Sequence, residues 1–297
     1  MICSRAQTVF VAVLLFFCVS ARAEDFKDIV YKEVQGISLL MDAHLPDGAG
    51  PFPAAVLVHG GGWIAGDKQQ YITYLFQPLA EAGFAWFSIN YRLAPKFTFP
   101  AAAEDVEAAI DYVQKNASRY KVDARRIVLI GESAGGHLVS YVGARNHTKA
   151  RIAAVVSLYG IHDFVSACAA WKPVPKEVLE LFGIRSIDAD TISLLITASP
   201  VIYVNRDMPP FLLIHGTQDE DVPYEQSVEM REKARTAGGH CDVIPVDGAP
   251  HGMDHWESRA ELLWYKKART DWLKKMVKWG LLPFTVEGRC RPHRPAG

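Results

Sequence analysis

Apolar residues in this chain fall into short continuous runs separated by stretches with helical spacing. Residues 53–59, 84–91, 127–130, 153–158, 211–215 and 242–246 read as strands, and the central ones lack the polar alternation of a half-exposed strand. Such runs mark strands buried on both faces, as in a parallel sheet. Between them, residues 71–82, 100–120, 134–144, 224–237 and 258–277 carry helical patterns. Pro100 stands where proline suits a first helical turn. Ahead of this alternation, residues 28–34 and 37–44 read as two strands parted by Gln35-Gly36, a hairpin turn. Strands alternating with helices predict an α/β domain with a mostly parallel central sheet and helices on both faces.

One stretch interrupts the alternation. Residues 161–206 follow a predicted strand and hold Trp171, prolines and only short helical patches. Ligands of open α/β sheets bind beyond the carboxyl ends of the strands, so an insertion at that end reads as a small cap. No helix with a broad apolar outer face is evident within it. Residues 280–297 are rich in Pro, Arg and Gly and read as a loosely held tail.

The N-terminus has a different character. Arg5, an apolar run over residues 9–19 and Ala21-Arg22-Ala23 have the order of a cleavable signal peptide. The predicted organisation is therefore a signal peptide at 1–23 and one domain at 24–297, with export to a secreted or periplasmic location. The apolar run is too short to span a bilayer, so no stable membrane anchor is expected. With 32 Lys and Arg against 33 Asp and Glu, the net charge of −1 gives no pull toward nucleic acid. After cleavage Cys168, Cys241 and Cys290 remain, which allows at most one internal disulfide and does not select the pair.

The chemistry centres on Gly131-Glu132-Ser133-Ala134-Gly135, a G-x-S-x-G pattern between the strand at 127–130 and the helix at 134–144. A strand turning sharply into a helix exposes the serine hydroxyl and requires glycines where a Cβ would collide. Serine needs a base, and the base an orienting acid. Asp219 stands at the end of the strand at 211–215, with Asp221 as competitor, and His251 sits in the Gly248–Gly252 loop, with His255 as the nearby alternative. The order Ser, Asp, His is the one such an elbow demands. His59-Gly60-Gly61-Gly62-Trp63 directly follows another strand and offers bare amides to a developing oxyanion. No Gly-Lys-Ser/Thr follows it, which disfavours a phosphate loop. His137, one helical turn past the serine, reads as structural, and so does the Tyr91-Arg92 pair. His251 and His255 lack a third partner for zinc, so no metal is expected.

Together His59-Gly-Gly-Gly-Trp63, Tyr91-Arg-Leu-Ala-Pro95, Gly131-Glu-Ser-Ala-Gly-Gly-His137 and His215-Gly-Thr-Gln-Asp219 resemble the α/β-hydrolase esterases. The similarity is greatest to the hormone-sensitive-lipase-like carboxylesterases and the feruloyl or acetyl esterase branch. The resemblance implies Ser133, Asp219 and His251 as catalytic triad and Gly61, Gly62 and Ala134 as oxyanion hole. It implies no cofactor, and as substrate a small ester. Two departures blur the substrate: the lipase-like branch usually has Asp where Glu132 stands, and Val222-Pro223 is similar to the feruloyl esterase and prolyl-peptidase branches. Trp63 and Trp171 are the candidate walls of a compact pocket for a short or small aromatic acyl group. Rival readings are an arylformamidase-like amidase, a small serine exopeptidase and a catalytically inactive hydrolase fold that serves as a binding module.

Overall fold

The computed structural model describes residues 22–148 and 150–279, so the signal peptide expected at 1–23 lies almost wholly outside the described residues, as do Cys290 and the tail. Eight strands form one sheet in the order β1-β2-β4-β3-β5-β6-β7-β8. They are β1 (Glu24–Val34), β2 (Ile37–Leu45), β3 (Phe52–Val58), β4 (Ala85–Ile89), β5 (Val122–Glu132), β6 (Ile152–Leu158), β7 (Phe211–Gly216) and β8 (Cys241–Val246). β1 and β2 pair antiparallel and β2 joins β4 antiparallel, while every pairing from β4 through β3 to β8 is parallel. The hairpin closes at Val34 and Ile37, with Gln35 at φ 51° and Gly36 at φ 73°, the doubly left-handed turn that matches strand twist.

The helices are α1 (Phe76–Glu81), α2 (Ala101–Lys115), α3 (Ala134–Arg145), α4 (Phe164–Ala170), α5 (Lys176–Phe182), α6 (Ile192–Ala198), α7 (Glu225–Thr236), α8 (Met253–Glu257) and α9 (Trp264–Trp279). Alternate residues of each central strand serve opposite layers. Ala54, Val56 and Val58 join a core with α2, α3, α7 and the α4–α6 segment, and Ala55 and Leu57 join a second core with α1, α8 and α9. All seven residues of β6, and all but one of β3, are buried, which is why neither strand shows alternation in sequence.

The structure revises several boundaries. The elbow strand runs through Val122–Glu132 and so starts well upstream of the apolar run at 127–130, where the polar residues Asp123, Arg125 and Arg126 tie together at the N-terminal end of this central strand. The helix expected at 71–82 begins as a 3₁₀ turn at Thr73–Leu75, after Tyr71 at φ 61°. The last helix, expected over 258–277, begins only at Trp264 as α9, after a 3₁₀ turn at Ala260–Leu262, and the separate short helix α8 lies just upstream of the expected range. Between α8 and that turn lies Arg259, extended at φ −114° and ψ 90°, whose guanidinium reaches back to the Gly248 carbonyl at 3.0 Å. The insertion between β6 and β7 folds as α4, α5 and α6. α6 exposes Leu194 and Ile196, a small apolar patch that helical spacing had not revealed.

Candidate active site

Ser133 occupies the turn from β5 into α3 with φ 51° and ψ −118°, a conformation that L side chains rarely adopt. Its amide donates to the Leu158 carbonyl at 2.9 Å, which anchors the turn to β6. A Cβ on Gly131 would strike the Gly135 carbonyl, and one on Gly135 would strike the carbonyls of Val58 and His59. Both collisions are with backbone, so the two glycines are a steric condition of the turn.

Beyond β7 and β8, two loops bring the other groups to this turn. His251 Nε2 lies 2.9 Å from Ser133 Oγ, and His251 Nδ1 lies 2.7 Å from Asp219 Oδ2. The pattern assigns the imidazole proton to Nδ1, donated to the carboxylate, and leaves Nε2 to accept from the serine hydroxyl. Asp219 Oδ1 accepts the amides of Asp221 at 3.0 Å and Val222 at 2.8 Å. Asp221 itself is exposed, and its carbonyl accepts the Trp171 indole N–H at 2.9 Å. The structure thus puts Asp219, and not Asp221, against the imidazole. His255 is exposed, 3.8 Å from Asp254, and takes no part in the chain of bonds.

Burial alone would raise the Asp219 carboxyl. Hydrogen bonds from His215 and His251, the charge of His251 and the Val222 amide outweigh it and hold the group down at about 2. His251 moves the other way: burial lowers it, but the hydrogen bond and charge of Asp219, with Asp221 and Glu132 behind, raise it above its ordinary value. The carboxylate therefore stays charged at neutral pH and favours the protonated imidazole.

The third element is the loop after β3. Gly61 at φ 97° and Gly62 at φ 59° put their backbone in left-handed conformations, and the Gly61 carbonyl turns away to accept the amides of Ile64 and Ala65. Tyr91 fixes the loop from below, its hydroxyl donating to the carbonyls of His59 at 3.1 Å and Gly60 at 3.2 Å, with its ring stacked on His59. Arg92 binds Asp105 and Glu104, so this pair braces the core and loop. Gly61, Gly62 and Ala134 line one cavity with Ser133 and His251. Ala134 is the first residue of α3, so its amide has no acceptor within the helix.

That cavity holds about 460 Å³. Trp63 and Trp171 both line it, as do Tyr71, Ile161, Val178 and Glu177, so the α4–α5 stretch of the insertion forms one wall. Trp63 is buried and donates its indole N–H to His137 Nδ1 at 3.2 Å. His137 Nε2 in turn donates to the Ala198 carbonyl at 2.9 Å. The imidazole is thus structural: it ties the wall to α6, and burial pushes it down to about 4. Among the described residues no group of His, Cys, Asp or Glu is placed to hold a metal, and no helix is long and apolar enough to cross a membrane. Cys168 and Cys241 are both free thiols.

Three residues at this site received no role from the sequence. His215 is buried, with Nε2 3.0 Å from the Val222 carbonyl and Nδ1 2.8 Å from Ser227 Oγ. Glu132 hydrogen-bonds the Gly60 amide. Tyr159 packs its ring edge-on to His251, centroids 4.7 Å apart. His215 and Glu132 belong to recognisable motifs, whereas nothing in the sequence around Tyr159 marks it.

The fold and the three loops at the carboxyl ends of its strands define an α/β-hydrolase. The chain belongs to the BD-FAE family, whose model matches residues 41–234. It is similar to the esterase LipC of Mycobacterium tuberculosis, 30% identical over 217 residues that make up 69% of this chain and 54% of LipC. It is also similar to the esterase LipQ of the same organism, 32% identical over 213 residues, covering 68% of this chain and 50% of LipQ. The chain spans about half the length of the curated relatives it matches. Among solved structures, a truncated carbohydrate esterase from gut microbiota superposes with a TM-score of 0.77 at 27% identity, covering 86% of this chain and 96% of that one. Esterase 2 of Thermogutta terrifontis, at 24% identity and a TM-score of 0.69 over 88% of this chain and 94% of its own, shares the fold.

Proposed function

We propose that this protein is an exported serine carboxylesterase acting on esters with a short or small aromatic acyl group. The observation that carries the reading is His251, bridging Ser133 Oγ at 2.9 Å and Asp219 Oδ2 at 2.7 Å beside a cavity of about 460 Å³. Relatives and structural neighbours named as esterases support it. Export rests on the signal-like order of residues 1–23.

On this reading Ser133 Oγ attacks the ester carbonyl while His251 Nε2 takes the hydroxyl proton. Negative charge on the carbonyl oxygen is met by the amides of Gly61, Gly62 and Ala134, each such donor lowering the barrier by about 3 kcal/mol. Asp219 holds the imidazole tautomer and stabilises its charged form. His251 then delivers the proton to the leaving alkoxide, and the alcohol departs. Water attacks the acyl-enzyme, His251 takes its proton, and the carboxylic acid leaves as the proton returns to Ser133 Oγ. No step requires a cofactor.

The test is turnover of nitrophenyl esters by the wild type and by Ser133→Ala. The wild type should release a burst of nitrophenol as the acyl-enzyme forms. The folded variant should lose at least about 10⁴-fold in kcat, since the triad acts as a unit. Normal turnover by a well-folded Ser133→Ala protein overturns the assignment.

A further inference from the structure

Glu132 is the residue between the elbow glycine and the serine, and among the described residues of the cavity wall it is the buried acidic one: Glu177, Asp221 and Asp254 reach solvent to some degree. Its partners belong to three different loops. One carboxylate oxygen accepts the Gly60 amide, at the root of the oxyanion loop, and a Cβ on Gly60 would run into the same carboxylate. The Tyr159 hydroxyl stands close enough to the same carboxylate to act on it. That hydroxyl in turn accepts the Met253 amide at 2.9 Å, two residues past His251 in the loop that carries the imidazole. The Tyr159 ring meets His251 at 64° with centroids 4.7 Å apart. Tyr159 holds this place with φ 41°, an unusual conformation for an aromatic residue, pinned by its amide to the Ile214 carbonyl at 2.8 Å. Strained backbone of this kind persists where surrounding structure over-determines it, and it concentrates at functional sites.

We propose that Glu132 and Tyr159 are positioning residues that hold the oxyanion loop and the His251 loop in register with the serine elbow. The proposal rests on the esterase reading above. The geometry explains why a buried carboxylate is kept at this point. Gly60 lies in the loop after β3 and Met253 opens α8 directly after the His251 loop, and each would otherwise have a buried amide to satisfy. A polar hub that satisfies both amides fixes the separation of the oxyanion donors from the base. A shift of about 1 Å there costs on the order of 10²-fold in rate.

The groups facing this carboxylate are His251, whose charge lowers it, Asp254, which raises it, and the hydroxyls of Tyr159 and Tyr91. Burial outweighs the favourable partners and moves Glu132 up to about 7. Glu132 in turn is one of the charges that raise His251.

The experiment uses the full chain with a nitrophenyl acetate substrate and compares Glu132→Gln, Glu132→Ala and Tyr159→Phe with the wild type, each checked by circular dichroism. Glu132→Ala should lower kcat by about 10²-fold with KM changed by less than about threefold, as loss of transition-state geometry predicts. Glu132→Gln, which keeps an acceptor for Gly60, should recover kcat to within about tenfold of the wild type. Tyr159→Phe should lower kcat by about tenfold with KM again little altered. A folded Glu132→Ala enzyme within about threefold of wild-type kcat overturns the positioning role. A Glu132→Gln enzyme no more active than Glu132→Ala overturns the hydrogen-bonding role given to the carboxylate. Should Glu132→Ala fail to fold, the other two variants decide the matter. Loss of activity in Ser133→Ala with wild-type behaviour of these variants would leave the esterase reading standing and remove this inference alone.

Discussion

His215 Nε2 lies 3.3 Å from Asp219 Oδ2, the same oxygen that meets His251 Nδ1 at 2.7 Å. Two imidazoles thus converge on one carboxylate oxygen, while the other oxygen is occupied by two backbone amides. Asp219 has little freedom to rotate, and the orientation it imposes on His251 is fixed from behind. His215→Ala removes one of these bonds and leaves Ser227 Oγ without its partner. The expected result is a loss of about 2 kcal/mol in stability, as for a hydrogen bond to a charged group. A lower kcat should accompany it. Thermal melts and steady-state kinetics on the purified variant check both, and wild-type values in each would remove the role given to His215.

Asp219 and Asp221 stand two residues apart, yet only the first touches His251. Asp219→Asn should cut kcat by up to about 10⁴-fold, because an amide in that place can offer its N–H group to Nδ1 and favour the wrong imidazole tautomer. Asp221→Asn, whose side chain is exposed and makes no contact with the imidazole, should stay within about threefold, as a solvent-screened charge contributes little. Parallel kinetics on the two variants give the ranking, and a reversed ranking reassigns the acid.

Burial holds three further histidines neutral. It drives His59 and His137 down to about 4 and His162 to about 3 from an ordinary value of 6.5, with backbone hydrogen bonds offsetting it only in part. The unfolded chain takes up these protons near 6.5 and the folded chain does so only at lower pH. Their contribution to stability is therefore complete above 6.5 and is lost as pH falls through the folded values. While only the unfolded form is protonated, each histidine removes about 1.4 kcal/mol per pH unit. The protein should melt at clearly lower temperature at pH 4.5 than at pH 7. His162, with neither ring nitrogen hydrogen-bonded, is the place to test this. His162→Leu should flatten the decline, and a melting curve series that is equally steep in the variant would contradict it.

The cavity is near the lower end of the range for small-molecule sites. The preference in kcat/KM should peak at about two to four acyl carbons and fall at least roughly tenfold by about eight. Trp171 forms part of the wall and ties the insertion to the Asp219 loop through the Asp221 carbonyl. Trp171→Ala should move the optimum toward longer chains. A hydrolysis series from acetyl to decanoyl esters measures this. A wild-type optimum at about ten carbons or more, or activation at an oil–water interface, would show the cavity not to be the limiting feature.

Much of this protein could be read from the chain itself. Uninterrupted apolar runs fix which strands lie in the sheet interior, because only a strand covered on both faces can dispense with polar alternation. Gly131 and Gly135 mark the elbow, because each abuts backbone that no side chain could share. The Gln35-Gly36 turn and the order of Ser133, Asp219 and His251 are equally local in origin. Boundaries set by side-chain reach were not legible: Arg259, extended and bonding Gly248, delays the start of the helix expected at 258–277. The rest depends on where distant loops meet. The choice of Asp219 over Asp221 on geometric grounds, which is the meeting of Asp219 with His251, and the path from Gly60 past Glu132 and Tyr159 to Met253 join residues far apart in the chain. Sequence periodicity reports which face of an element is apolar. The distances between loops are set by packing of the whole sheet and its helices, and only the folded chain supplies them.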